Sequence, residues 1–251
     1  MTPTPPFPGL VTLVEERSAA LREAAASAPD MAAPVPGCPD WSLRDLVAHL
    51  GEVQRFWALV VTEADPSGPP PRDRKGSTFP QSDLLEWFGE STRMLSAALR
   101  AAGPDAPCWA WWPADAATYT AGAVARHQVQ EAAVHAYDAW EALGKPEPLP
   151  AAVAVDGVSE FLSTCLGSLG AWPHRPARVQ FQAIEGPSWI VDLSPAGATP
   201  DPAASGDPVT RIHGTASDLV LFLYRRLPLD AVRIDGDHEV AAQLRKWSLI
   251  D

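Results

Sequence analysis

The residues best placed to do chemistry lie in the run Arg126-His127-Gln128-Val129-Gln130-Glu131-Ala132-Ala133-Val134-His135-Ala136-Tyr137-Asp138. Glu131 and His135 are four apart, so on a helix they stand one turn from each other on one face. A carboxylate oxygen and an imidazole nitrogen at that spacing can share a divalent metal. The same pair also suits a solvated polar face with a hydrogen bond between successive turns. His49 adds a third donor. It follows Leu46 by three residues, precedes Val53 by four and Phe56 by seven, and so sits at the edge of an apolar stripe facing inward. One reading makes it a neutral core histidine. The other makes it a ligand facing Glu131 and His135 across a helical bundle, since bundle cores hold metals through side chains of facing helices. A His₂Glu set on zinc leaves a fourth position open, as catalytic zinc requires. Asp138, one turn beyond His135, is either a partner that orients the imidazole or an exposed helix charge.

Other catalytic fingerprints are missing. The chain has no GxGxxG after a strand, no GxxxxGK[ST], no GxSxG and no HExxH. Asp235-Gly236-Asp237-His238-Glu239 looks metal-like, but it lacks the EF-hand spacing and fits a helix start, where acids complement the dipole. Cys38 stands just before a helix start, where a thiol can be activated, yet Pro39 and Trp41 beside it suggest packing.

These residues need elements to position them. Apolar positions at Leu10, Leu13, Val14, Leu21 and Ala25 predict a first helix over about 10–26. A Pro-rich break follows. Ser42 with Asp45 three residues on is a helix-start signature, and the helix it opens runs to about Thr62 with Leu43, Leu46, Val47, Leu50, Val53 and Trp57 on one face. The stretch 65–78, dense in Pro, Gly and charge, reads as a loop. A third helix is expected over about 82–101. A fourth is expected over about 116–143, after the aromatic turn Trp109-Ala110-Trp111-Trp112-Pro113. Those tryptophans are either core or one wall of a substrate cleft. Four such helices predict an antiparallel, up-down bundle.

The pattern changes after Gly144-Lys145-Pro146-Glu147-Pro148-Leu149-Pro150, which divides the chain into domains 1–147 and 148–251. The second part predicts one helix over 151–169 and strands over 178–184, 189–193, 209–213 and 232–234. It also predicts a helix over 215–226 and a last helix from about 237. The fold class is therefore α+β, a helical bundle followed by a smaller α+β domain.

With 251 residues and 46% apolar content the chain can build a sizeable core. It carries 19 Lys+Arg against 31 Asp+Glu, a net charge of −12, which argues against nucleic acid or an anionic membrane as the main partner. Three scattered cysteines without a CxxC exclude a disulfide scaffold and a thiolate zinc finger, and point to a reducing cytoplasm. No secretory signal is apparent, and no run reaches the roughly 18 apolar residues of a membrane span.

The segment Gly37-Cys38-Pro39-Asp40-Trp41-Ser42-Leu43-Arg44-Asp45-Leu46-Val47-Ala48-His49-Leu50-Gly51 resembles a signature of the mycothiol-dependent maleylpyruvate isomerase family. Gln130-Glu131-Ala132-Ala133-Val134-His135-Ala136-Tyr137-Asp138 resembles its second signature. The resemblance extends over nearly the whole chain. It implies a DinB-like four-helix N-terminal domain, a C-terminal domain similar to sterol-carrier proteins, and zinc held by His49, Glu131 and His135. Family members often carry a histidine where this chain has Gln130, so the pocket beside the ligands differs. Mycothiol, a low-molecular-weight thiol, is the implied co-substrate. Zinc would hold it as a thiolate, a strong nucleophile that needs no protein cysteine. In the isomerase the thiolate adds to the double bond of a cis-enone acid, the bond rotates and the thiol leaves. In transferase relatives the conjugate is released. Arg226 matches a position where many relatives have arginine. Its planar fork suits a substrate carboxylate, although a helix-end cation is an equally good account of it.

The expected function is thus a zinc-dependent, mycothiol-using isomerase or S-transferase acting on a small electrophilic substrate. The alternatives are a metal-assisted hydrolase, in which the ion activates water, and a non-catalytic ligand-binding or regulatory protein on the same fold.

Overall fold

A computed structural model describes residues 4–71, 83–112, 119–200 and 206–248. The chain forms two compact units. One is Pro5–Glu147; the other is Pro148–Asp251, which Thr4 joins through a 2.8 Å hydrogen bond from its hydroxyl to Asp156.

Four main helices make the first unit: α1 (Phe7–Ser27), α2 (Leu43–Glu63), α3 (Leu84–Ala102) and α4 (Ala121–Ala142). α1 packs chiefly on α4, and α2 on α3. A small antiparallel ribbon, β1 (Pro34–Val35) and β2 (Cys38–Ser42), leads into α2. The Pro-rich break expected there contains this ribbon, which its two-residue first strand is too short to announce. The segments 72–78, Ser82, Pro113 and 116–118, parts of the loop, third-helix, aromatic-turn and fourth-helix expectations, lie outside the described residues.

Local chemistry fixes where each helix starts. Ser42 and Asp45 form a reciprocal capping box, each side chain bonded to the other's backbone N–H, so α2 begins at Leu43. At α4, the Thr120 hydroxyl accepts from Ala123 N–H. The bonds Cys108 N–H to Tyr119 O (3.0 Å) and Ala121 N–H to Ala106 O (2.9 Å) pin the chain just before it.

The register between helices comes from small and polar residues. At Gly51 a Cβ would lie 2.2 Å from Trp87 Cζ3, so only glycine lets the Trp87 ring lie on α2. The Arg55 guanidinium covers that ring at 4.7 Å, and its Nε donates to Ser91 at 2.8 Å. Gln54 is fully buried. It donates to Ser18 Oγ (2.7 Å) and accepts from Thr92 Oγ1 (2.8 Å), linking α1, α2 and α3 through one satisfied amide.

The second unit holds a five-stranded mixed sheet in the order β5-β4-β3-β6-β7, with β3 (Ala177–Ala183), β4 (Ser188–Ser194), β5 (Gly197–Pro200), β6 (Thr210–Gly214) and β7 (Arg233–Gly236). β3 and β6 are parallel; the other pairs are antiparallel. β5, an edge strand, is absent from the sequence expectation. α5 (Ala151–Glu160), α6 (Ala216–Leu223) and α7 (His238–Trp247) complete the unit.

Two expectations are corrected here. The single helix over 151–169 ends at Glu160 and continues as a π turn (Phe161–Cys165) and a 3₁₀ turn (Leu166–Ser168). Ser163 Oγ donates to the carbonyls of Ser159 and Glu160, and Ser168 Oγ to that of Thr164, hydroxyl contacts that compete with the α ladder. The helix expected over 215–226 stops at Leu223. Arg225 takes the left-handed conformation (φ 64°), with its N–H on Phe222 O and the Arg226 N–H on Leu221 O, a Schellman ending without glycine.

Candidate metal centre

α2 and α4 present His49, Glu131 and His135 to one another. One donor atom from each lies within 4.8 Å of the other two. The imidazole rings of His49 and His135 meet edge to face, with centroids 5.2 Å apart. Glu131 Oε2 lies 3.6 Å from His135 Nε2. Trp41, just before the cap of α2, packs its ring 4.5 Å from that of His49 and 6.1 Å from that of His135.

Protonation follows from the partners. Asp138 is fully buried, and its Oδ2 lies 2.9 Å from His135 Nδ1. A carboxylate accepts, so Nδ1 carries the proton and Nε2 turns a lone pair toward Glu131 and His49. Burial, reinforced by the neighbouring His135 and opposed by Glu131, brings the His49 pKa down to about 4. At neutral pH His49 is therefore an uncharged imidazole with a free lone pair. Two imidazole nitrogens and one carboxylate oxygen thus lie within 4.8 Å of one another. This donor set fits a divalent cation, with an affinity order set by the ion rather than by a unique geometry.

One turn before Glu131 on α4, and two turns after His49 on α2, the neighbours are mostly aromatic. His127 lies 5.2 Å from Trp112, 5.5 Å from Trp111 and 6.3 Å from Trp57. Trp109 stacks on Trp57 at 6.1 Å and meets Phe56 at 6.0 Å. Trp112 is buried, Trp109 half-buried, and Trp111 39% exposed. Of the three tryptophans, Trp112 thus belongs to the core, and Trp111 is the one with most of its ring toward solvent. Gln130, the residue before Glu131 on α4, is fully buried.

Other residues singled out in the sequence fall elsewhere. Arg226 lies in the second unit, past the end of α6, where its Nη1 donates to Tyr224 O at 2.8 Å. Asp237 caps α7, its carboxylate accepting from the N–H groups of Glu239 and Val240, which accounts for the acidic run there. Cys38 belongs to β2 rather than to a helix end, with Sγ 3.9 Å from Asp138 Oδ2. Sequence reasoning missed the roles of Trp41 and His127. Their contacts cross between elements, and no spacing along the chain encodes them. Among the described residues no helix is long and apolar enough to cross a membrane.

Residues 11–140 match the family model of the mycothiol maleylpyruvate isomerase N-terminal domain, and residues 152–243 match that of the MDMPI C-terminal domain. No curated protein matches the chain. Among solved structures it is similar to a crystal structure of the mycothiol-dependent maleylpyruvate isomerase and to one of that enzyme's histidine-to-alanine variant. The two have TM-scores of 0.61 and 0.62, in that order, at 16% identity, covering 94% of this chain and 97% of the other. At that identity the likeness concerns the fold.

Proposed function

The chain belongs to the mycothiol maleylpyruvate isomerase family, and from that premise we propose that it is a zinc-dependent isomerase or S-transferase that uses mycothiol on a small electrophilic substrate. The observation that carries the reading is the convergence of His49, Glu131 and His135 within 4.8 Å. These three side chains would hold the ion, which when bound supplies a Lewis acid able to keep an exogenous thiol as thiolate at neutral pH.

The chain's own residues do the rest. His49 stays neutral because it is buried, so no proton competes for its lone pair near pH 7. Asp138 holds the Nδ1 proton of His135 and so fixes which nitrogen faces Glu131. Trp41 packs on both imidazoles and limits their rotation. Three cysteines outside any disulfide fit a reducing cytoplasm as the place of action.

The test is a screen of small electrophiles, enone acids included, with zinc-loaded protein, with and without mycothiol. The reading expects turnover only when the thiol is present, lost in Glu131→Gln. Turnover without any thiol would replace it with a metal-assisted hydrolase.

A further inference from the structure

The imidazole of His135 has donors on both of its nitrogens. Nε2 faces Glu131 and His49. Nδ1 faces Asp138 Oδ2 at 2.9 Å, and that same oxygen lies 3.9 Å from Cys38 Sγ. One donor atom each from Cys38, His135 and Asp138 lies within 4.8 Å of the other two. Tetrahedral coordination with ordinary zinc bond lengths puts neighbouring S, N and O donors about 3.3–3.6 Å apart. The donors, at 2.9 Å, 3.9 Å and within 4.8 Å of one another, come onto one ion through shifts of about an ångström.

The three donors are placed by independent elements. His135 and Asp138 share a face of α4, three residues apart. Cys38 opens β2, whose pairing with Val35 sets its position. Val35, Cys38 and Trp41 pack in one cluster with Ala132, Ala136 and Ala139 of α4, which holds the ribbon against the helix. The chain's other thiols sit differently: Cys108 and Cys165 are both buried, and burial pushes Cys108 up to about 11.

We propose that Cys38 Sγ, Asp138 Oδ2 and His135 Nδ1 form a second seat, for a thiophilic divalent cation, back to back with the His49–Glu131 seat on a single imidazole. It differs from the first in chemistry: a thiolate replaces an imidazole, which favours soft ions such as Cd²⁺. Filling it releases the Cys38 thiol proton. Ligation at Nδ1 displaces its proton, and the two seats share the one imidazole of His135. This inference does not depend on the thiol-using activity proposed above.

The experiment is titration of the full-length, metal-free protein with Cd²⁺ alone, read by the ultraviolet sulfur-to-cadmium charge-transfer absorption and by elemental analysis. The band should rise to one cadmium per chain in the wild type. It should vanish in Cys38→Ser and persist in His49→Ala and Glu131→Gln. Cys38→Ser is checked for folding by circular dichroism and by zinc uptake, which the first seat should retain; failure of that uptake counts against the proposed function and not against this seat. Three results would overturn the second seat: no band in the wild type, a band that survives Cys38→Ser, or a band lost in His49→Ala, which would mean a single shared centre.

Discussion

The depressed basicity of His49 makes a quantitative prediction for the metal-free protein. In the unfolded chain this imidazole takes up a proton near pH 6.5; in the native bundle it resists until about pH 4. The unfolded state then binds more protons as pH falls, so native stability drops across that window. Above pH 6.5 both states are neutral and the effect is absent. Below about pH 4 it is complete. The full span is worth about 3 kcal/mol, and at pH 5 about 2 kcal/mol has been lost. The perturbation is His49→Gln, which carries no titratable group. Urea midpoints are measured in chelator from pH 7.5 to pH 4.5 for both proteins. The wild type should lose stability relative to the variant by about 2 kcal/mol between pH 7 and pH 5. Parallel curves over that range would refute the reasoning, because they would mean that His49 is as solvated in the native state as in the unfolded one.

Asp138→Asn removes the group that keeps the proton on His135 Nδ1, so zinc affinity should fall about ten- to a hundredfold, measured by competition with a chromophoric chelator; unchanged affinity would show that the imidazole is oriented by other contacts. Gly51→Ala places a methyl group 2.2 Å from Trp87 Cζ3, and overpacking of this kind costs about 1–3 kcal/mol. The melting temperature, followed by circular dichroism, should fall by roughly 3–10 °C, and an unaltered melting curve would contradict the close approach of α2 and α3 at this point.

What the sequence made legible was what depends on helical spacing. Glu131 with His135, and His49 on the edge of its stripe, are positions that a single periodicity places on a face. Ser42 with Asp45 marks the start of α2 by a rule internal to four residues, and the capping box forms as the spacing implies. The four helices and the α+β second unit follow from the change of period near residue 150. Contacts across large separations were not legible. Cys38 and Asp138 are 100 residues apart and meet only because the β1–β2 ribbon packs on α4. Trp41 covering His49, and His127 among the tryptophans, depend on how α2 and α4 face each other. The ending of α6 was missed because Arg225 adopts a left-handed conformation that composition assigns to glycine. The break of the helix after Glu160 depends on serine hydroxyls turning back onto the chain, and serine is also common in unbroken helices.

The most direct test is elemental analysis of protein purified without chelator, for the wild type and for His49→Ala, Glu131→Ala and His135→Ala, each checked for helical content by circular dichroism. The account predicts close to one zinc per chain in the wild type, loss of the ion in folded His135→Ala, and loss in folded His49→Ala and Glu131→Ala once Cys38→Ser is added to close the second seat. A wild type that takes up no divalent metal even when zinc is added would contradict it, and the convergence of these side chains would then be no more than a polar face inside the bundle.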